Sequence, residues 1–114
     1  MHEFSIIQNV IDIVKESACE KGLTKVTKVT LVIGKMRQIV PEAMQFAFEA
    51  ATKGDLLEHS ELAMKFKPIK MKCNTCDAVF EVEDNEYFCT ACNGSDLSII
   101  QGQELIIQSI EGEK

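Results

Sequence analysis

Two Cys-x-x-Cys pairs, Cys73–Cys76 and Cys89–Cys92, stand twelve residues apart and constrain this chain more than any other feature. A two-residue gap lets two thiolates converge on one ion from a tight turn whose backbone amides can donate to sulfur. Two such knuckles supply four soft ligands in a tetrahedron, which suits zinc in a closed structural site. Iron in the same thiolates is chemically allowed, and a redox dithiol or two disulfides are the competing readings. A fifth cysteine, Cys19, makes the count odd, and no basic segment followed by an apolar core opens the chain. A reduced, cytoplasmic metal site is therefore expected ahead of disulfides.

The segment around the knuckles, residues 70–103, holds few large aliphatics and an Asn93-Gly94 turn signal. About 34 residues of that kind cannot bury a sufficient core alone, so the module should depend on its metal. It also carries two lysines against six carboxylates, a net of −4, within a chain of net charge −6. That is the wrong sign for a phosphate backbone, so no nucleic acid is expected, and Phe80, Tyr87 and Phe88 read as packing around the zinc core. No apolar run approaches the roughly 20 residues that span a bilayer, so no membrane partner is expected either. With 114 residues, 46% hydrophobic and 26% charged, the chain reads as one compact body plus a small module.

The rest of the pattern is α+β. Phe4, Ile7, Ile11, Val14 and Ala18 recur at steps of three and four, which predicts a helix from Phe4 or Ser5 ended by Gly22. Residues 25–33, KVTKVTLVI, predict a strand with Val29, Leu31 and Ile33 on one face. Pro41 opens a second helix that Gly54 stops, residues 61–67 alternate as a second strand, and residues 104–110 form a third. The expected architecture is two helices packed on a three-stranded sheet, with a four-cysteine zinc-ribbon module inserted before the last strand. The expected domains are 1–69 plus 104–114 and, between them, 70–103.

The other chemically suggestive place is the N-terminus, Met1-His2-Glu3. His2 is too bulky a second residue for Met1 to be removed readily. The α-amine, the His2 backbone nitrogen and the His2 imidazole can chelate one metal in a plane through fused rings. Such tetragonal nitrogen sets favour Ni(II) or Cu(II) over zinc. The Glu3 backbone nitrogen or a carboxylate would complete the set. An ordinary solvated terminal histidine has the same sequence, so this reading needs independent support.

Support comes from a family likeness. The opening Met1-His2-Glu3-Phe4-Ser5, the strand end Val32-Ile33-Gly34, the segment Pro41-Glu42-Ala43-Met44-Gln45-Phe46-Ala47-Phe48-Glu49, both knuckles and the closing Gly102-x-Glu104-Leu105 together resemble the HypA/HybF family. These are nickel metallochaperones for maturation of [NiFe]-hydrogenases, and the likeness runs in order over essentially the whole chain. It implies a nickel site on Met1, His2 and Glu3 and a structural zinc on Cys73, Cys76, Cys89 and Cys92. It also implies delivery of Ni(II) to the hydrogenase large subunit together with a HypB-type GTPase; a homodimer is left open. Some relatives carry a histidine just after each knuckle, where this chain has Asp77 and Asn93, and an acidic residue where it has Val40.

Two other readings compete with nickel delivery: a zinc-ribbon adaptor that only docks proteins, and a zinc-ribbon oxidoreductase or electron carrier. No phosphate-binding Gly-rich loop is present, and two histidines support no Ser-His-Asp arrangement, so the chain is expected not to be an enzyme. Cys19 is expected at the core or its boundary, and His59 in an exposed loop. Met36, Met44, Met64 and Met71 lack a clustered spacing and are expected to fill the core.

Overall fold

The structure, a computed structural model, describes residues 2–83 and 86–114, with the backbone alone at His2. Helix α1 spans His2–Glu20, so it begins earlier than its apolar stripe requires. Ile7, Val10, Ile11, Val14 and Ala18 are all buried, as period 3.6 demands. Gly22, at φ +70°, ends the helix in the left-handed conformation that costs glycine nothing. The Leu23 N–H reaches the Ala18 carbonyl at 2.9 Å and the Gly22 N–H the Cys19 carbonyl at 3.2 Å, closing a Schellman motif. Cys19 itself is exposed, at variance with its expected place at the core boundary, because it falls on the polar side of the stripe.

Helix α2 runs Pro41–Ala51 and packs on α1. Proline at its first position supplies a fixed φ and lacks the N–H that would be orphaned there. Met44, Ala47 and Phe48 face inward and are essentially buried. The Thr52 hydroxyl donates to the Phe48 carbonyl at 2.8 Å, which ends the helix short of Gly54.

Strand β1 (Lys25–Gly34) lies at the centre of a sheet ordered β2-β1-β6, with β2 at Glu61–Lys67 and β6 at Leu105–Glu113. Its sequence predicts one buried face, but every residue from Val29 to Gly34 is buried. Lys28 pairs with Glu61 of β2 at 3.7 Å, and Lys65 of β2 donates to Gln108 of β6 at 2.9 Å, across the central strand. Strand β6 runs on to Glu113 because the Thr24 N–H donates to the Glu113 carbonyl.

The cysteine segment forms its own sheet, ordered β4-β3-β5, from β3 (Lys70–Cys73), β4 (Val79–Glu81) and β5 (Leu97–Gln101). Both pairings are antiparallel, and Met71 stands opposite Phe80 on one side and Ile99 on the other. The chain divides into two units, one of residues 1–32, 39–65 and 106–114, the other of 33–38 and 66–105. Within the second unit Gly34 and Gly102 meet so closely that a Cβ on Gly34 would sit 2.0 Å from the Gly102 carbonyl oxygen. Among the described residues, no helix is long and apolar enough to cross a membrane.

Candidate metal centre

Each knuckle is a turn built on the same backbone bonds. The N–H of Asp77 returns to the Cys73 carbonyl and that of Asn93 to the Cys89 carbonyl, each at 2.9 Å. The Cys73 N–H then donates to Ala78 and the Cys89 N–H to Gly94, each at 2.8 Å. Asp77 and Asn93 adopt φ +62° and +61°, a left-handed conformation that Asp, Asn and His tolerate better than other side chains. The backbone thus explains which residue types can follow a knuckle. Gly94 has no Cβ to crowd the sulfurs; one built there would stand 3.3 Å from Cys92 Sγ.

These two turns bring Cys73, Cys76, Cys89 and Cys92 together with all four sulfurs within 4.8 Å of one another. Cys73 and Cys92 are 3.6 Å apart, Cys76 and Cys89 3.5 Å. A disulfide needs about 2.05 Å, and all four thiols are free. A tetrahedron of sulfurs at a Zn–S bond of about 2.3 Å has edges near 3.8 Å, so the donor set fits a tetrahedral thiophilic ion. Cys73 and Cys89 are fully buried, while Cys76 and Cys92 lie at the surface. Among the described residues this is the one group of three or more metal-capable side chains whose donor atoms converge.

The local fields prepare the sulfurs unequally. The backbone N–H groups of Cys76 and Thr75 point at Cys73 and bring its thiol down to about 6. Those of Cys92 and Ala91 lower Cys89 in the same way, with the Ala91 N–H 3.4 Å from its sulfur. Cys76 receives the Ala78 N–H, which lowers it, but the Cys89 sulfur, burial and the other two sulfurs push it up to about 12. Cys92 receives the Gly94 N–H, which lowers it, but the Cys73 and Cys89 sulfurs and burial raise it overall. Four thiolates this close cannot all ionise without a cation among them. Such a donor set can take up a cation by releasing protons.

The N-terminal residues are placed differently. Met1 lies outside the described residues, as does the His2 side chain. Of the three expected nickel residues, the described side chain is that of Glu3, which is only 7% exposed. Its carboxylate accepts the Val40 N–H at 3.4 Å, at the start of α2. The N3 residue of α2, Ala43, has no side-chain acceptor to reach back to the N-cap N–H of Val40, and Glu3 supplies that acceptor from another helix. The signal for this contact was an acidic residue in the first turn of α1 and an apolar residue before Pro41.

His59 is exposed, as expected, and lines a cleft of about 360 Å³ with Phe48, Glu49, Thr52, Lys53, Glu58 and Ser60. Met44 and Met71 are buried, whereas Met36 and Met64 are half-buried. The turn amides expected to donate to sulfur are those of Thr75, Cys76, Ala78, Ala91, Cys92 and Gly94; which residues supply them carries no side-chain signature in the sequence.

The model of a family described as hydrogenase/urease nickel incorporation, metallochaperone, hypA, matches residues 1–112. The hydrogenase maturation factor HypA of Caldanaerobacter subterraneus is 38% identical over 114 residues, covering 99% of this chain and 100% of the relative. That of Moorella thermoacetica is 34% identical over 113 residues, again covering 99% and 100%. The solution structure of the Ni metallochaperone HypA from Helicobacter pylori shares the fold, with a TM-score of 0.69 at 24% identity over 99% of this chain and 98% of that one. A second HypA solution structure gives a TM-score of 0.72 at 25% identity over 98% and 96%.

Proposed function

The chain belongs to the HypA family of nickel metallochaperones for hydrogenase maturation, and we propose that it divides two metals between its two ends of chemistry. It is a maturation factor and not an enzyme. Zn(II) sits in the four thiolates of Cys73, Cys76, Cys89 and Cys92 as a structural ion. Ni(II) is the cargo, held by the α-amine of Met1, the backbone nitrogen and imidazole of His2, and the backbone nitrogen of Glu3. Residues 1–69 with 104–114 form the nickel-carrying domain, and 70–103 the zinc domain. The chain works in the cytoplasm, receiving or passing on nickel with a HypB-type GTPase and delivering it to the [NiFe]-hydrogenase large subunit.

The observation that carries this reading is the convergence of four free sulfurs on one site, which gathers four of the five thiols and leaves nitrogen for nickel. The start of α1 at His2 supports it further. The first N–H groups of a helix have no intrahelical acceptor, so a metal can take the amide nitrogens of residues 2 and 3 without breaking a helical bond. The Glu3 carboxylate is already turned to the Val40 N–H, which favours its backbone nitrogen over its side chain as the fourth ligand. The test is nickel titration of untagged, zinc-loaded protein and of His2→Gln, read by absorption for planar nitrogen ligation. The variant should lose nickel at micromolar concentrations and keep its zinc and fold. Native nickel affinity in His2→Gln would remove the N-terminal site and leave the zinc-ribbon adaptor as the better reading.

A further inference from the structure

The outer face of α2 carries a side chain that the fold does not use. Phe46 is 70% exposed, the most open of the large apolar residues among those described. Its neighbours Met44, Ala47 and Phe48 complete the packing of the helix, and Gln45 is spent on the Leu62 carbonyl at 2.7 Å. Phenylalanine is also a poorer helix former than alanine, so the position loses propensity without gaining burial. Glu42 and Glu49 stand one turn to either side of Phe46, at i−4 and i+3, and therefore on the same face. Both are exposed. The ion pairs among the described residues are Lys15–Asp55, Lys28–Glu61 and Lys72–Asp77, so neither carboxylate is neutralised. Lys53, four residues beyond Glu49, makes no ion pair with it.

We propose that Phe46, flanked by Glu42 and Glu49, is the anchor of a docking face for a partner protein that offers an apolar pocket rimmed by lysine or arginine. A buried aromatic inside a polar rim is the usual composition of an energetic centre at an interface. The two carboxylates repel phosphate, so neither nucleic acid nor an anionic membrane fits. A second copy of this chain fits poorly as well. A two-fold contact through Phe46 would set Glu42 and Glu49 against their own copies. The place also suits a nickel carrier, and in this respect the inference rests on the N-terminal nickel reading. Phe46 lies roughly 9 Å along the helix axis from Val40, whose N–H is bonded to the Glu3 carboxylate in the first turn of α1. A partner seated on Phe46 meets the end of α2 beside which the cargo would be carried.

The experiment uses the full zinc-loaded chain and two purified probes, the HypB-type GTPase and the hydrogenase large subunit of the same cell. Each is titrated calorimetrically against the native chain, Phe46→Ser, and the double variant Glu42→Lys/Glu49→Lys, at low and moderate salt. Because Phe46 is exposed, Phe46→Ser should keep the native melting temperature and zinc content. It should weaken one of the two complexes by about thirtyfold. The charge variant should weaken the same complex by about tenfold at low salt and flatten its salt dependence. Native affinity of Phe46→Ser for both probes, or failure of the native chain to bind either, overturns the proposal. Nickel bound by each sample is measured in parallel. A chain that binds no nickel yet shows the Phe46 dependence would refute the nickel reading and uphold the docking face.

Discussion

Replacing Cys76 with serine tests whether the cysteine module is held by metal or by its own packing. The module has little core of its own: Ile99 and Ile100 of β5 stay 40% and 53% exposed, and Val79 of β4 59%. A structural zinc contributes on the order of 10–16 kcal/mol to such a unit. Divided over four ligands, one thiolate carries roughly 3–4 kcal/mol, so its loss should weaken zinc roughly 100- to 1,000-fold. Serine is a harder donor on a shorter side chain, and Cys89, now 3.5 Å from the Cys76 sulfur, would lose that neighbour. The assay is zinc stoichiometry against a competing chelator, with amide exchange followed in parallel. Protection should collapse at the Cys73 N–H, bonded to Ala78, and at the Cys89 N–H, bonded to Gly94. It should persist at Val29 and Leu31 of β1. A Cys76→Ser chain that keeps its full zinc at native affinity would refute the four-thiolate assignment.

Other perturbations have definite signs. Nickel held on nitrogens that must shed protons, with reference values of about 7.7–8.0 for an α-amine and about 6.5 for imidazole, should be lost before zinc as pH falls from neutral; zinc leaving first in a joint titration would contradict that assignment. Gly112→Ala would place a Cβ 2.3 Å from the Lys25 carbonyl oxygen, so it should lower the melting temperature by an amount equivalent to about 2 kcal/mol or more. Burial of Asp55 works against its charge, but Lys15 at 2.8 Å and the N–H groups of Leu56 and Leu57 outweigh it and hold the carboxyl below its usual range. That contribution is therefore present above the usual carboxylate value and fades as pH falls through the lowered one. Since Lys15 is partly solvated, Asp55→Asn should cost only about 1 kcal/mol at neutral pH in chemical denaturation and close to nothing in strong acid.

Periodicity revealed what is governed by local pattern. The α1 stripe, Gly22, Pro41 and the alternation of β2 were all legible because each depends on residues within one or two turns of the chain. Burial of Thr30 and Val32 was not, since whether the second face of a strand is covered depends on segments far away in the chain. The short strands β3, β4 and β5 were equally hidden. Runs of three to five residues show too little alternation to read, and here the order rests on turns that aim sulfur inward. Those turns were visible only as Cys-x-x-Cys. Glu3 shows the limit most plainly, because its acceptor role depends on Val40, thirty-seven residues away.

The two donor sets also explain how one small chain could keep two divalent ions apart. Raw affinity does not separate nickel from zinc reliably, since first-row metals follow much the same order on most ligands. Geometry does. Four sulfurs fixed by paired backbone turns enforce a tetrahedron with no open position, which a d¹⁰ ion accepts at no electronic cost. Planar nickel gains most from nitrogen ligands that include a deprotonated amide, which is the set proposed for Met1, His2 and Glu3. On the proposed assignment the zinc site must fill first. With Cys73 already lowered to about 6 by its amides, an empty cluster would present a thiolate at neutral pH that competes for the cargo. On that assignment zinc would do more than fold its module, because it would fill the convergent sulfur site among the described residues that could otherwise trap nickel.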